Sequence, residues 1–201
     1  MLCCLLVWSL LLHSCFVDYI INSEEGHIVN TSSINGFWAS LGGTPHTSYS
    51  AAKFAVKGFS EALIDDLRVN APHVDVSVVM PGHIGTSIAE NTGKIIGGIK
   101  TEEDLEKVKE NMIKMGMPVH NFTPEQIKQQ IKENAEAFKN NAPTTSAEAA
   151  DVILSAVKKK QWRILVGDDA KAIDEWVRSA PENAYNIHYN GEKRENLNED
   201  I

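Results

Sequence analysis

Hydrophobic and polar positions along this chain switch between two rhythms, and the switches mark out its elements. Residues 1–17 are almost wholly apolar. Gly26-His-Ile-Val-Asn-Thr31 reads as a short apolar strand that runs out into small polar residues and Gly36. Phe37 to Thr47 is a loop, with Gly42, Gly43 and Pro45 as turn formers. Ser48 to Leu67 carries helical spacing over its whole length, and Val74 to Met80 reads as a mostly buried strand closed by Pro81-Gly82.

From Ser87 to Thr145 the chain turns charged and helical. Thr101 is a fitting N-cap for a helix to Met115, with acids in its first turn. Thr123-Pro124 opens another helix, with proline at its first position, and Gly116-Met-Pro118 is the break between the two. Ser146 to Val157 is a capped amphipathic helix, and the lysines 158–160 at its end suit the helix dipole. Arg163 to Gly167 reads as a short parallel strand, Asp168 to Ser179 as a further helix, and Pro181 to Ile201 as a loose polar tail. The order strand, helix, strand predicts an α/β fold, a parallel sheet with helices on both faces.

Composition narrows the function classes. A chain of 201 residues with 43% hydrophobic residues fits one domain with a sizeable core. A formal net charge of −8 argues against nucleic acid binding, and no polybasic patch offers itself to a membrane surface. Cys3, Cys4 and Cys15 all lie in the apolar N-terminus, which gives neither a disulfide framework nor a metal-ligand spacing and points to a reducing, cytoplasmic setting. No two histidines stand at the helical spacing of a zinc site; His46 and His83 fall near motif loops.

The chemistry concentrates in Tyr49-Ser-Ala-Ala-Lys53, downstream of Ser32 and Ser33. On a helix, positions i and i+4 share a face. An ammonium held beside a phenol favours the phenolate and lowers its pKa from about 10, which makes a general acid/base usable near neutral pH. A nearby serine hydroxyl can hydrogen-bond the oxygen of a carbonyl or alcohol. Taken singly, Ser33 reads as a strand-end hydroxyl capping a backbone group, Pro81-Gly82 as a turn, and Thr86 as an N-cap.

In order along the chain, Asn30-Thr-Ser-Ser33, Gly36, Tyr49-Ser-Ala-Ala-Lys53 and Pro81-Gly-His-Ile-Gly-Thr86 resemble the short-chain dehydrogenase/reductase family. The similarity is dense from Gly26 to Thr86 and resumes at Trp162 to Ala170, which looks like the family's last strand and the turn after it. The resemblance implies a Rossmann-like, doubly wound parallel sheet with a helical lid over 87–145. It implies an NAD- or NADP-dependent oxidoreductase that interconverts an alcohol and a ketone or aldehyde by hydride transfer. Tyr49 would be the acid/base on the substrate oxygen. Lys53 would tune Tyr49 and bind the cofactor ribose, and Ser33 would hold the substrate oxygen. Pro81, Gly82, Ile84 and Thr86 would hold the nicotinamide carboxamide. No metal is implied.

The resemblance covers the C-terminal part of that fold, about three parallel strands. The glycine-rich Thr-Gly-x-x-x-Gly-x-Gly turn, which places the pyrophosphate at a helix N-terminus, has no counterpart here, nor has the Asn-Asn-Ala-Gly segment. Leu5 or Leu6 falls where many members carry a relay asparagine. The expectation is one partial domain, with residues 1–22 as the buried helix before the catalytic strand. A targeting segment that would make the protein membrane-associated or secreted is the alternative. A non-catalytic, truncated family member acting as an interaction partner is the alternative function. Homo-oligomers are expected through the helix of Tyr49 and the helix before the catalytic strand, with Phe54, Phe59 and Leu63 as contacts, and marginal stability for the isolated chain.

Overall fold

The computed structural model describes residues 14–39, 47–95, 99–114 and 116–185. The expectations for residues 1–13, for the loop at 40–46 with its His46, for Met115 and for 186–201 fall outside the described residues. The chain divides into two compact units, Met1–Gly82 with Ala147–Ile201, and His83–Ser146.

The first unit is an α/β layer. Residues 14–21 are helical and lead into β1 (Gly26–Thr31), followed by α1 (Thr47–Asn70) and β2 (Val74–Pro81). All the connections return the chain in parallel. β1 pairs with β2 from Gly26↔Val74 to Thr31↔Val79, and β2 pairs with β5 (Arg163–Val166) from Val78↔Arg163 to Pro81↔Val166. The order β1-β2-β5 puts β2 in the middle, which is why it is buried almost end to end, Ser77 included.

α1 covers β1 and β2. Leu63, Leu67 and Ala71 form a buried cluster with Val74 and Val76, joined by the half-buried Ile20, Ile28 and Phe59. Each such leucine contributes about 1.5–3 kcal/mol by leaving water. Leu63 is therefore a core residue and not a contact for a partner. It stands nine residues after Phe54, two and a half helical turns on, so the two face opposite ways.

α6 (Asp168–Ser179) packs Ala170 and Ile173 against Ile34 and Trp38, with Leu165 alongside. Trp38 meets Trp176 edge to face at 5.2 Å, and its indole N–H donates to the Ala184 carbonyl at 2.9 Å. The segment from Pro181 to Tyr185 is thus docked rather than loose, with Ala184 buried in this cluster. Asp174 of α6 grips Arg163 through both carboxylate oxygens.

A polar seam crosses the sheet on the side away from α1. Ser77, next to the α1-facing Val76, bonds His27 Nε2 at 2.7 Å and donates to the Gln161 carbonyl at 2.7 Å.

The second unit begins with β3 (Ile84–Gly85), continues through α2 (Ile88–Ile95), α3 (Glu102–Lys114) and α4 (Pro124–Asn140), and ends at β4 (Thr144–Thr145). β3 and β4 pair in parallel, Ile84↔Thr144. Thr123 and Gln126 form a reciprocal capping box at the start of α4. Leu105, Met112, Val119 and Ile127 make this unit's core, with Ile113, Met117 and Phe122 packed around it. α5 (Ser146–Lys158) then leads back to β5. Among the described residues no helix is long and apolar enough to cross a membrane, and no group of acidic, His or Cys side chains is placed to hold a metal ion.

Candidate active site

β1 ends at Thr31, and the chain turns at once into a single 3-10 turn, Ile34–Gly36. Ser33 caps that turn. Its backbone is extended, and its Oγ accepts the N–H of Asn35 at 3.2 Å. Capping occupies a lone pair of the hydroxyl and leaves its proton to be given elsewhere. The capping role and the role of donor to a substrate oxygen are therefore compatible in one side chain.

The turn is clamped onto α1. Ser32 Oγ donates to the Lys53 carbonyl at 2.8 Å. Gly36 sits where a Cβ would come within 2.9 Å of the same carbonyl and would run into Ser32 Oγ. Only glycine lets the turn lie this close to the helix. Ser32, buried and bonded to α1, is the anchor of the turn, a role its sequence position does not announce.

α1 brings Tyr49 and Lys53 together. The Lys53 Nζ lies 5.6 Å from the centre of the Tyr49 ring. The two differ sharply in exposure: Tyr49 is 39% exposed and Lys53 only 8%. Lys53 donates to the Thr31 carbonyl at 3.0 Å, and no carboxylate is its partner among the bonds seen. Burial of an ammonium without a counter-ion disfavours its charged form, and the pKa of Lys53 is held below the ordinary lysine value. One N–H is committed to Thr31, and an ammonium has three to give. Ser60, two turns along the same face, accepts from Asn30 at 3.0 Å and so ties α1 to β1 just before the motif turn.

Pro81 and Gly82 close β2 in the same unit. The Gly82 N–H donates to the Val166 carbonyl at 2.9 Å, and a side chain at 82 would collide with the Asp169 carboxylate in the first turn of α6. The turn thus faces a carboxylate that the sequence does not advertise, and a larger residue at 82 would oblige that carboxylate to move. Ile84 and Thr86 belong to the second unit. Ile84 lies in β3, and the Thr86 N–H donates to its carbonyl at 2.9 Å. Ser87, not Thr86, directly precedes α2. His83 bonds the Phe138 carbonyl at 2.6 Å and stacks on that ring at 4.2 Å, both within the second unit.

A parallel Rossmann-like sheet, with a serine turn clamped to a helix that carries a tyrosine–lysine pair, defines the α/β layer of this chain. The comparisons agree. The family model described as short chain dehydrogenase matches residues 9–95, the stretch that carries Ser33, Tyr49, Lys53 and Gly82. A Mycobacterium tuberculosis protein that carries an oxidoreductase's name, SadH, is 35% identical over 164 residues, 81% of this chain and 47% of that protein. The 3-ketodihydrosphingosine reductase of Bacteroides thetaiotaomicron is 42% identical over 76 residues, 37% of this chain and 26% of that protein. The crystal structure of a short chain dehydrogenase/reductase from Burkholderia phymatum in complex with NAD superposes with a TM-score of 0.56 at 21% identity, over 85% of this chain and 52% of that one, a likeness of fold. The chain belongs to the short-chain dehydrogenase/reductase family. It spans about half the length of the first curated relatives it matches, 47%.

Proposed function

We propose that this chain carries the proton-handling half of an NAD(P)-dependent oxidoreductase that interconverts an alcohol and a ketone or aldehyde. The observation that carries the reading is Lys53: a buried ammonium without a counter-ion among the described residues, held beside the Tyr49 ring on a helix to which the Ser33 turn is clamped. Burying a lone ammonium is costly, and a fold that serves structure alone gains nothing from it.

In the reductive direction, Ser33 donates its free hydroxyl proton as a hydrogen bond to the carbonyl oxygen and stabilises the charge that develops there. Tyr49 gives its phenolic proton to that oxygen. Lys53 favours the phenolate that results, and its remaining N–H groups suit a ribose hydroxyl. The residues present fit the nicotinamide end of a dinucleotide: hydroxyl and ammonium donors stand on α1 and its turn, and Pro81-Gly82 ends the central strand. The cofactor, when bound, supplies or takes up the hydride.

The test is turnover of NADH and NADPH by the full chain with a panel of ketones and aldehydes, beside Tyr49→Phe. Consumption that disappears in the variant supports the reading. Turnover that survives Tyr49→Phe rejects the role of Tyr49.

We propose further that a second copy of this chain covers the outer side of α1. Phe54 is 41% exposed there, with Ala51, Gly58 and Ala62 exposed at helical spacing, and Phe16 and Tyr19 are exposed on the helical residues 14–21. A shift from dimer to monomer in sedimentation on Phe54→Glu supports this; an unchanged mass in solution rejects it.

A further inference from the structure

Folded proteins hydrogen-bond nearly all their buried polar side-chain atoms, and an orphan is destabilising. Two side chains near the Ser33 turn break that rule among the described residues. Asn35 is 0% exposed, yet neither its Oδ1 nor its Nδ2 has a partner. Ser50 is 3% exposed, and its Oγ has none.

Their positions are related. Asn35 lies inside the 3-10 turn, and its backbone N–H is the group that Ser33 Oγ accepts. Ser50 directly follows Tyr49 and precedes Lys53 by three residues, within one turn of the Lys53 carbonyl at which the serine turn is bonded to α1. Their chemistry is complementary as well. A carboxamide offers two donors and an acceptor, and a hydroxyl offers one donor and two lone pairs. A buried water is held by two to four such groups, and the amide with the hydroxyl makes that set.

We propose that Asn35 and Ser50 form one hydrogen-bonded unit, closed by a single internal water, that fixes the Ser33 turn against the helix of Tyr49 and Lys53. They are positioning residues: neither touches substrate or cofactor, and each acts through the geometry of its neighbour in sequence. This role rests on the site assignment made above.

The test is a double-mutant cycle in the full chain with Asn35→Leu, Ser50→Ala and the pair together. Each single change lowers the melting temperature, and the double variant falls no further than the worse single, because both break the same unit. Additive losses, or a rise in melting temperature for Asn35→Leu, overturn the proposal. Should Asn35→Leu fail to fold, Ser50→Ala alone decides. The side-chain NH2 of Asn35 exchanges with solvent about tenfold faster in that variant, the factor for one lost hydrogen bond; equal exchange in both proteins overturns the proposal. The positioning role has its own readout in the Lys53 ammonium, titrated by NMR. Ser50→Ala moves its midpoint up toward the ordinary lysine value as the turn loosens, whereas a purely structural role leaves it fixed. None of these readouts needs turnover. Surviving activity in Tyr49→Phe removes the site assignment without touching the cycle, and an additive cycle beside an inactive Tyr49→Phe removes the pair alone.

Discussion

The two units of this chain fill their interiors by different means. The second is packed with apolar side chains, Leu105, Met112, Val119 and Ile127, and Thr144 is its one buried polar residue among those described. The first buries Ser32, Ser33, Asn35, Ser50, Lys53, Ser60, Ser77 and Asp174. Apolar fill is interchangeable so long as volume and pattern are kept. A buried hydroxyl, amide or ammonium is tied to particular partners at particular angles. The second unit therefore tolerates substitution by size. The first tolerates little change in its buried polar set.

Substitutions sharpen this contrast. The largest effect falls on Tyr49→Phe, which leaves the melt unchanged and lowers turnover by about 10²–10⁴-fold, the contribution of a positioned acid/base. Equal losses of stability and rate would break the distinction. Ile127→Ala destabilises the second unit by about 2–5 kcal/mol, read by urea denaturation. Gly36→Ala forces the turn off Ser32 and the Lys53 carbonyl and costs about 1–3 kcal/mol.

Lys53→Met runs the other way: it abolishes turnover and raises stability at neutral pH, because it removes an ammonium buried with no counter-ion among the described residues. Its pH dependence has a fixed sign. The folded pKa of Lys53 lies below the unfolded value of about 10.4. Between the two the unfolded chain binds a proton that the folded chain has released, so wild-type stability gains from this residue as pH rises through that window, and the Met variant lacks the gain. Denaturation series from neutral to alkaline pH measure the difference. The smallest effect is Ile127→Leu, under about 1.5 kcal/mol by the same urea measurement.

The local parts of this picture are legible in the sequence. Tyr49 and Lys53 declare themselves because helical periodicity holds from Thr47 to Asn70, and Thr123 with Gln126 spells out a capping box in four residues. What escapes the sequence is set by distance along the chain. The pairing Ile84↔Thr144 involves two-residue strands too short to show a period. Asp169 stands over Gly82 only after β5 has docked beside β2. Ala184 is buried although its neighbours are polar, because the Trp38 indole needs a carbonyl there. Leu63 shares an apolar side chain with Phe54 and nothing of its direction.

The seam across the sheet has a polarity of its own. Ser77 has one proton and gives it to the Gln161 carbonyl, so the bond from His27 must bring a proton with it, and His27 keeps its hydrogen on Nε2. The imidazole is thereby a reporter of assembly. Its nitrogen spectrum registers whether β1, β2 and the residues leading into β5 stand side by side, and a slip of any one strand releases the tautomer.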